Sequence, residues 1–412
     1  MRTLYLSLSL LIAATATAQQ VDYVVLAAVA AGDEFDSAAR HLEKHHQARL
    51  VRFDPGDLEP VRSALETMQP RYVALVMRPE QIDFAFQRRF LQLASEIDDD
   101  PFVDCSFGYI TGIRGEEALA LAKRGTDRSP KSGELTHTVV AGGLKRSFVQ
   151  EQGFRLRSGK LDTLRIYSAG EDAFPDDGRD RKFLAKHLPR VRGRDTVTFV
   201  GHGYPREVHG GPDYRDLKDM DLAGTVALNV ACYTGTTHGY FDRDWQRRRI
   251  TKEHVPFEQS FCLTLLQKGV VGYTAYVCPR PAGPELDTDL VALVVDGMSL
   301  GAARRRDYDK TVLGFLGFGE ERMVLGEIKN NDRVPPNMDA VRDMMLEGAT
   351  GGVLFGDPAC VPFAGLQNES PLAITTEEQP STAGKGSQLL VRAEVGVQGL
   401  YLQCSDPTAR WG

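Results

Sequence analysis

"TVTFVGHGYPREVHGG" (residues 196–211) runs an apolar, β-branched segment into an abrupt Gly-His-Gly. The first five residues suit a strand buried on both faces. Glycine on either side of His202 lets the backbone turn sharply and removes side chains that would crowd a ligand. "GTVALNVACYTG" (224–235) repeats the arrangement: an apolar strand closes on Ala231-Cys232, with Gly235 three residues on. In an open parallel sheet, reactive groups gather where strands end at their carboxyl edge, because loops converge there. Ends of adjacent parallel strands lie about 5 Å apart, or about 10 Å with one strand between. On that spacing His202 and Cys232 reach one crevice.

The rest of the chain supplies such a sheet. "VDYVVLAAVA" (21–30), "ARLVRFDPGD" (48–57) and "RYVALVM" (71–77) read as strands, and "FDSAARHLEKHHQ" (35–47) and "LEPVRSALETMQP" (58–70) as helices between them. That alternation indicates βαβ units and a parallel sheet. "GEEALALAKR" (115–124) is a further helix, and the polar "GTDRSPKSGELTH" (125–137) marks a domain boundary. A second α/β series follows. It has strands at "TLRIYSAG" (163–170), at the His202 and Cys232 segments, at "VVGYTAYV" (270–277) and at "GGVLFGDPACVPF" (351–363). Its helices are "GRDRKFLAKHLPRV" (178–191) and "FEQSFCLTLLQKG" (257–269). The tail is loop-like until "LLVRAEVGVQGLYLQC" (389–404), which alternates as one or two strands.

Length and composition bound the reading. A chain of 412 residues exceeds one ordinary core. With 42% hydrophobic and 25% charged residues it is globular, and its net charge of −7 argues against a nucleic-acid partner, which needs clustered Lys and Arg. The two "RRR" runs, 247–249 and 304–306, have acids close by and read as solvated faces. "MRTLYLSLSLLIAATATAQQ" has an early Arg, an apolar core and small residues ending in Ala-Thr-Ala, the pattern of a secretory signal peptide cleaved near Ala18. Its apolar core is too short to span a bilayer, and no later run reaches about 20 apolar residues. A secreted, extracellular or cell-surface protein is expected, or a periplasmic one if a Gram-negative cell retains it.

Six cysteines are too few for a disulfide scaffold; the spacing of Cys262 and Cys278 allows one bridge. A thiol needs a nearby base to supply thiolate at neutral pH, and imidazole is its usual partner. The backbone N–H groups of Gly203 and Cys232 are placed to stabilise an oxyanion. His202, His209, His238 and His254 lack the spacing of a zinc site, and no metal is assigned to the chemistry. The acidic loops "DDDP" (98–101) and "EDAFPDDGRD" (171–180) suit a structural calcium, without an EF-hand pattern. Neither a phosphate-binding GxxxxGK[ST] loop nor a GxSxG elbow is present.

The order His-Gly, about thirty residues, Ala-Cys resembles the peptidase group of caspases, legumain, clostripain and gingipains. The short spacer, "VDYVVLA", "GYITGIRGEEALALAKR", "FEQSFCLTLLQKGVVGYTAY" and "LFGDPAC" are most similar to gingipains, over Val21 to Pro362 in the same order. The resemblance implies a caspase-like three-layer α/β/α sandwich with a mostly parallel sheet, preceded by a smaller α/β subdomain. On that basis the expected organisation is a signal peptide (1–18), an N-terminal α/β subdomain (19–125), a catalytic domain (126–365) and a short β-rich tail (366–412). The tail is too short for the complete immunoglobulin-like domain of the family. The resemblance also implies a cysteine endopeptidase without a required cofactor, acting on a protein or peptide substrate. His202 matches the family's base and acid, Cys232 its nucleophile, and Gly203 with Cys232 its oxyanion hole. Cleavage after Arg or Lys needs an acid in the pocket, for which Asp172, Asp176 and Asp177 stand in a suitable loop; Tyr233, Tyr273 and Tyr276 would supply aromatic walls. The alternatives are an inactive binding, secretion or assembly module of this fold, or a transpeptidase.

Overall fold

The computed structural model describes residues 22–156, 159–170, 179–218, 220–244, 249–279, 288–294, 296–317, 321–332, 348, 350–365, 374–380 and 387–393. The signal segment (1–18) and Cys404 lie outside them. In chain order the strands are β1 (Tyr23–Ala27), β2 (Arg49–Arg52), β3 (Tyr72–Val76), β4 (Ser106–Ile110), β5 (Leu135–Leu144), β6 (Phe148–Leu156), β7 (Gly159–Ala169) and β8 (Thr196–Val200). There follow β9 (Gly203–Tyr204), β10 (Glu207–Val208), β11 (Val226–Asn229), β12 (Gly239–Asp244), β13 (Arg249–His254), β14 (Gly272–Tyr276), β15 (Gly352–Phe355), β16 (Ile374–Pro380) and β17 (Ser387–Ala393). Eleven of them form one sheet in the order β2-β1-β3-β4-β15-β14-β11-β8-β5-β7-β6. It is mostly parallel; β15 runs antiparallel to β14, and β6 antiparallel to β7. Strands from before and after residue 126 thus share one sheet, joined where β4 meets β15 at Tyr109 and Phe355.

The helices are α1 (Asp36–His46), α2 (Glu59–Met68), α3 (Phe84–Ala94), α4 (Gly115–Thr126), α5 (Arg181–His187), α6 (Tyr214–Leu217), α7 (Phe261–Gln267), α8 (Thr288–Val294) and α9 (Leu300–Gly317). They cover both faces of the sheet because the central strands are buried along almost their whole length. On β1, Val24 and Leu26 pack with α2 and α3, while Val25 and Ala27 pack with α1 and α4. On β11, Ala227 packs on the α7 side, and Val226 and Leu228 on the side of α8 and the start of α9. Three layers result, an α/β/α sandwich. Truncating one such side chain, Leu26→Ala, would cost about 2–5 kcal/mol through lost burial and a residual cavity.

One expectation is corrected. The run Arg304–Arg306 is not a solvated face: it lies on α9, where Arg304 is 1% exposed, with its guanidinium over the rings of Tyr276 and Tyr308 and paired with Asp307. Three charges in a row hid a helix whose buried side carries an arginine stacked on aromatics. Cys262 and Cys278 are both buried and not disulfide-bonded. The described part of the tail is the antiparallel pair β16–β17. The described residues contain no helix long and apolar enough to cross a membrane.

Candidate active site

β8 and β11 are adjacent and parallel, with Phe199 opposite Asn229 and the Val230 N–H donating to the Phe199 carbonyl at 3.1 Å. Beyond this last rung the two chains turn into a common crevice. Gly201 makes the turn after β8 with φ +143°, a conformation side-chain-bearing residues rarely adopt. The next segment folds back as the β9–β10 hairpin, closed by the His209 N–H on the His202 carbonyl at 2.8 Å. That bond makes Gly203 and Val208 a non-hydrogen-bonded pair, so the Gly203 N–H faces away from β10. Gly203 packs on the other turn directly: a β-carbon there would stand 2.2 Å from the Cys232 carbonyl oxygen and 2.8 Å from the Cys232 nitrogen.

The turn carrying Cys232 is built from beneath. Asn229 Oδ1 accepts the Ala231 N–H at 2.8 Å, and the Thr234 hydroxyl donates to the Ala231 carbonyl at 2.9 Å. The Tyr273 hydroxyl donates to the Thr234 carbonyl and accepts from Asn229 Nδ2, both at 3.0 Å. Tyr233 follows the cysteine at φ +57°, strained for a bulky residue by about 1–3 kcal/mol. Its N–H donates to the Cys278 carbonyl at 3.3 Å, its hydroxyl donates to the Phe241 carbonyl at 3.0 Å, and its ring meets Tyr240 edge-on. These contacts hold the strained residue in place.

A cleft of about 300 Å³ opens over the two turns, lined by His202, Gly203, Tyr204, Cys232, Tyr233, Asp242 and Pro279. Of the sequence-derived candidates it brings together His202, Gly203, Cys232 and Tyr233. Tyr273 is fully buried beneath the cysteine turn, and burial holds its hydroxyl protonated, well above the ordinary tyrosine range. Tyr276 is 4% exposed and packed against Arg304. Neither lines the cleft: both point into the layers that β14 separates. Asp172, Asp176 and Asp177 lie outside the described residues.

Cys232 is distinct among the described cysteines. Cys105, Cys262, Cys278 and Cys360 are buried. Burial pushes the Cys105 and Cys360 thiols up to about 12 and Cys262 well above its ordinary value, so all three stay protonated and inert. Only Cys232 is partly exposed, and it opens on the cleft beside an exposed histidine.

Sequence reasoning missed Tyr204, Asp242 and Pro279. Asp242 arrives on the β12–β13 hairpin (Asp242 opposite Thr251), which "GYFDRD" and "RITKEH" signal only through buried Phe241 and Ile250 amid charges. The Thr237 hydroxyl donates to the Pro79 carbonyl at 2.7 Å, tying the segment after the cysteine to the short 3-10 turn (Pro79–Gln81) that follows β3.

One group of three metal-ligating side chains converges among the described residues: Asp98, Asp100 and Asp104, their oxygens within 4.8 Å of one another, ahead of β4. Burial, with the neighbouring Asp98 charge, raises the Asp104 carboxyl to about 7. The set could hold a hard cation and takes no part in the cleft. His202, His209, His238 and His254 belong to no such group there.

No protein-family model and no curated protein matches the sequence. Among solved structures, the chain is similar to the Arg-specific cysteine proteinase gingipain R (RgpB), with a TM-score of 0.50 at 12% identity over 88% of this chain and 83% of that one. It is similar also to the complex of Porphyromonas gingivalis RgpB pro- and mature domains (TM-score 0.49, 12% identity, 87% of this chain and 83% of that one). At such identities the first likeness establishes a shared caspase-like fold.

Proposed function

We propose that the chain is a cysteine endopeptidase in which His202 and Cys232 form the catalytic pair. The observation that carries this reading is the packing of Gly203 on the backbone of Cys232, which puts the histidine turn and the only partly exposed described thiol on one cleft. His202 takes the proton of Cys232, and the thiolate sulfur attacks the carbonyl carbon of the scissile peptide. The Gly203 and Cys232 N–H groups stabilise the oxyanion that forms. Collapse breaks the C–N bond; the proton on His202 passes to the leaving amine, and a thioester remains. Water, deprotonated by His202, attacks the thioester, the C–S bond breaks and the thiol is restored.

Asp242 and Tyr233 give the cleft a carboxylate beside an aromatic wall, a lining that suits a cationic head on an aliphatic stem. On this reading cleavage follows Arg or Lys, and the acid of the pocket is Asp242. The apolar segment at the chain's start supports export of the enzyme. The deciding experiment is labelling with a peptidyl electrophile alongside cleavage of a random peptide pool. Alkylation at Cys232 that disappears in His202→Ala, with cleavage lost in both Cys232→Ala and His202→Ala, is expected. Cleavage retained by folded Cys232→Ala would overturn the proposal. An unreactive thiol would indicate a binding module, and products trapped with added amines a transferase.

A further inference from the structure

The loop that carries His202 is held by a buried ion cluster that does not touch the cleft. Arg179, 5% exposed, pairs with Glu207 on β10 and, at 3.0 Å, with Asp213, itself 1% exposed. Asp213 also accepts from Arg181 at 3.0 Å and from Arg215 Nη2 at 2.6 Å, and takes the Arg215 and Asp216 N–H groups at the start of α6. Burial alone would raise the Asp213 carboxyl; the Arg215 and Arg181 hydrogen bonds and the Arg179 charge outweigh it and hold it at about 2. One arginine therefore grips both ends of segment 207–213, whose backbones also meet in a β-bridge between Glu207 and Asp213.

That segment contains the contacts that place the catalytic imidazole's backbone. His209 sits between, its N–H on the His202 carbonyl at 2.8 Å, its ring edge-on to Tyr204 and its Nδ1 3.6 Å from the second Glu207 oxygen. β9 and β10 have two residues each, too few to fix a hairpin by themselves. Gly210 and Gly211 add no side chains to the loop, which meets the rest of the fold through buried Val208 and through its backbone against Gly142 and Gly143. We propose that Arg179 and Glu207 are positioning residues for His202: by clamping β10 to Asp213 they set the height of the β9–β10 hairpin over Cys232. Neither touches substrate. Their effect reaches the reaction through the His209–His202 backbone bond, and a displacement of about 1 Å at a reacting group is enough to cost about a hundredfold in rate.

This inference rests on the peptidase reading, and its test separates the two. Wild type, His202→Ala, Glu207→Gln, Arg179→Lys and Arg179→Ala are compared for iodoacetamide alkylation of Cys232 and for kcat and KM on a fluorogenic peptide chosen from the pool experiment. We expect kcat to fall ten- to a hundredfold in Glu207→Gln and Arg179→Ala with KM within about twofold. Arg179→Lys should recover part of the loss, and added guanidinium should restore part of it in Arg179→Ala. Wild-type kcat in folded Glu207→Gln and Arg179→Ala would overturn the positioning role while leaving the peptidase reading intact. If wild type and His202→Ala alkylate alike and neither cleaves, the peptidase reading falls, and this inference with it. Should Arg179→Ala not fold, the isosteric Glu207→Gln decides.

Discussion

Gly203 and Cys232 touch through their backbones, so closely that a β-carbon on the glycine would stand 2.2 Å from the Cys232 carbonyl oxygen. A peptide oxygen cannot rotate aside as a long side chain can. Gly203→Ala must therefore push the two turns apart or tilt one of them. We expect a loss of about 1–3 kcal/mol in stability by overpacking and about a hundredfold slower alkylation of Cys232. Gly326→Ala, where a β-carbon meets nothing within 4 Å, is the control and should be neutral. Unchanged reactivity in Gly203→Ala would refute the contact as a functional one.

Tyr273 supports the cysteine from below. Its hydroxyl joins Asn229 Nδ2 to the Thr234 carbonyl, all within buried surroundings. Tyr273→Phe keeps the ring and removes that bridge, leaving two buried polar groups short of a partner. Urea unfolding should register about 1–3 kcal/mol of destabilisation, and Cys232 alkylation should slow as the turn loosens. A specificity-pocket role for Tyr273 predicts the reverse: stability kept, and a changed cleavage-site profile.

His137 should contribute a destabilisation in acid. It is buried on β5 next to β8, its Nδ1 2.8 Å from the Thr196 hydroxyl. Burial, assisted by the charges of Arg165 and Arg194, lowers it from 6.5 to about 4. The unfolded chain thus takes up a proton near pH 6.5 that the folded chain refuses until about pH 4. The contribution to stability is whole above pH 6.5, shrinks as pH falls through the interval, and is gone below about 4, in total about 3 kcal/mol. Asp104, raised to about 7, contributes with the opposite sign over the same interval, so the readout is the difference between wild type and His137→Gln in thermal melts from pH 4 to 7, which should grow in favour of wild type as pH rises. Parallel slopes would remove His137 as the cause.

The central strands were legible because burial on both faces favours short apolar and β-branched runs such as "TVTFV" and "VALN". The two turns were legible because glycine beside His202 and a cysteine ending a strand are departures from such runs. Elements that mix charge with buried apolar groups were not. β12 and β13 set exposed Asp242, Arg249, Lys252 and Glu253 beside buried Phe241 and Ile250; α9 places Arg304 over the rings of Tyr276 and Tyr308. For these, tertiary contacts decide what the residue pattern does not. Tyr273 and Tyr276 show the same limit on a strand: spacing places both on β14, and only the packed layers reveal that both point away from the cleft.

Asp242 supplies the most specific consequence for substrate choice. It is the one carboxylate lining the cleft among the described residues, which it shares with His202, Cys232, Tyr233 and Pro279. A cationic side chain entering there gains from the carboxylate, with its stem against the Tyr233 ring; a neutral one gains only the ring. Asp242→Asn preserves volume and removes the charge. The arginine and lysine share of cleavage sites in a random peptide pool should fall tenfold or more, through higher KM for basic peptides, while alkylation of Cys232 by uncharged iodoacetamide stays at the wild-type rate. The charge reversal Asp242→Lys should go further and favour acidic residues at that position. A cleavage profile identical in wild type and Asp242→Asn would assign the pocket's acid to another loop.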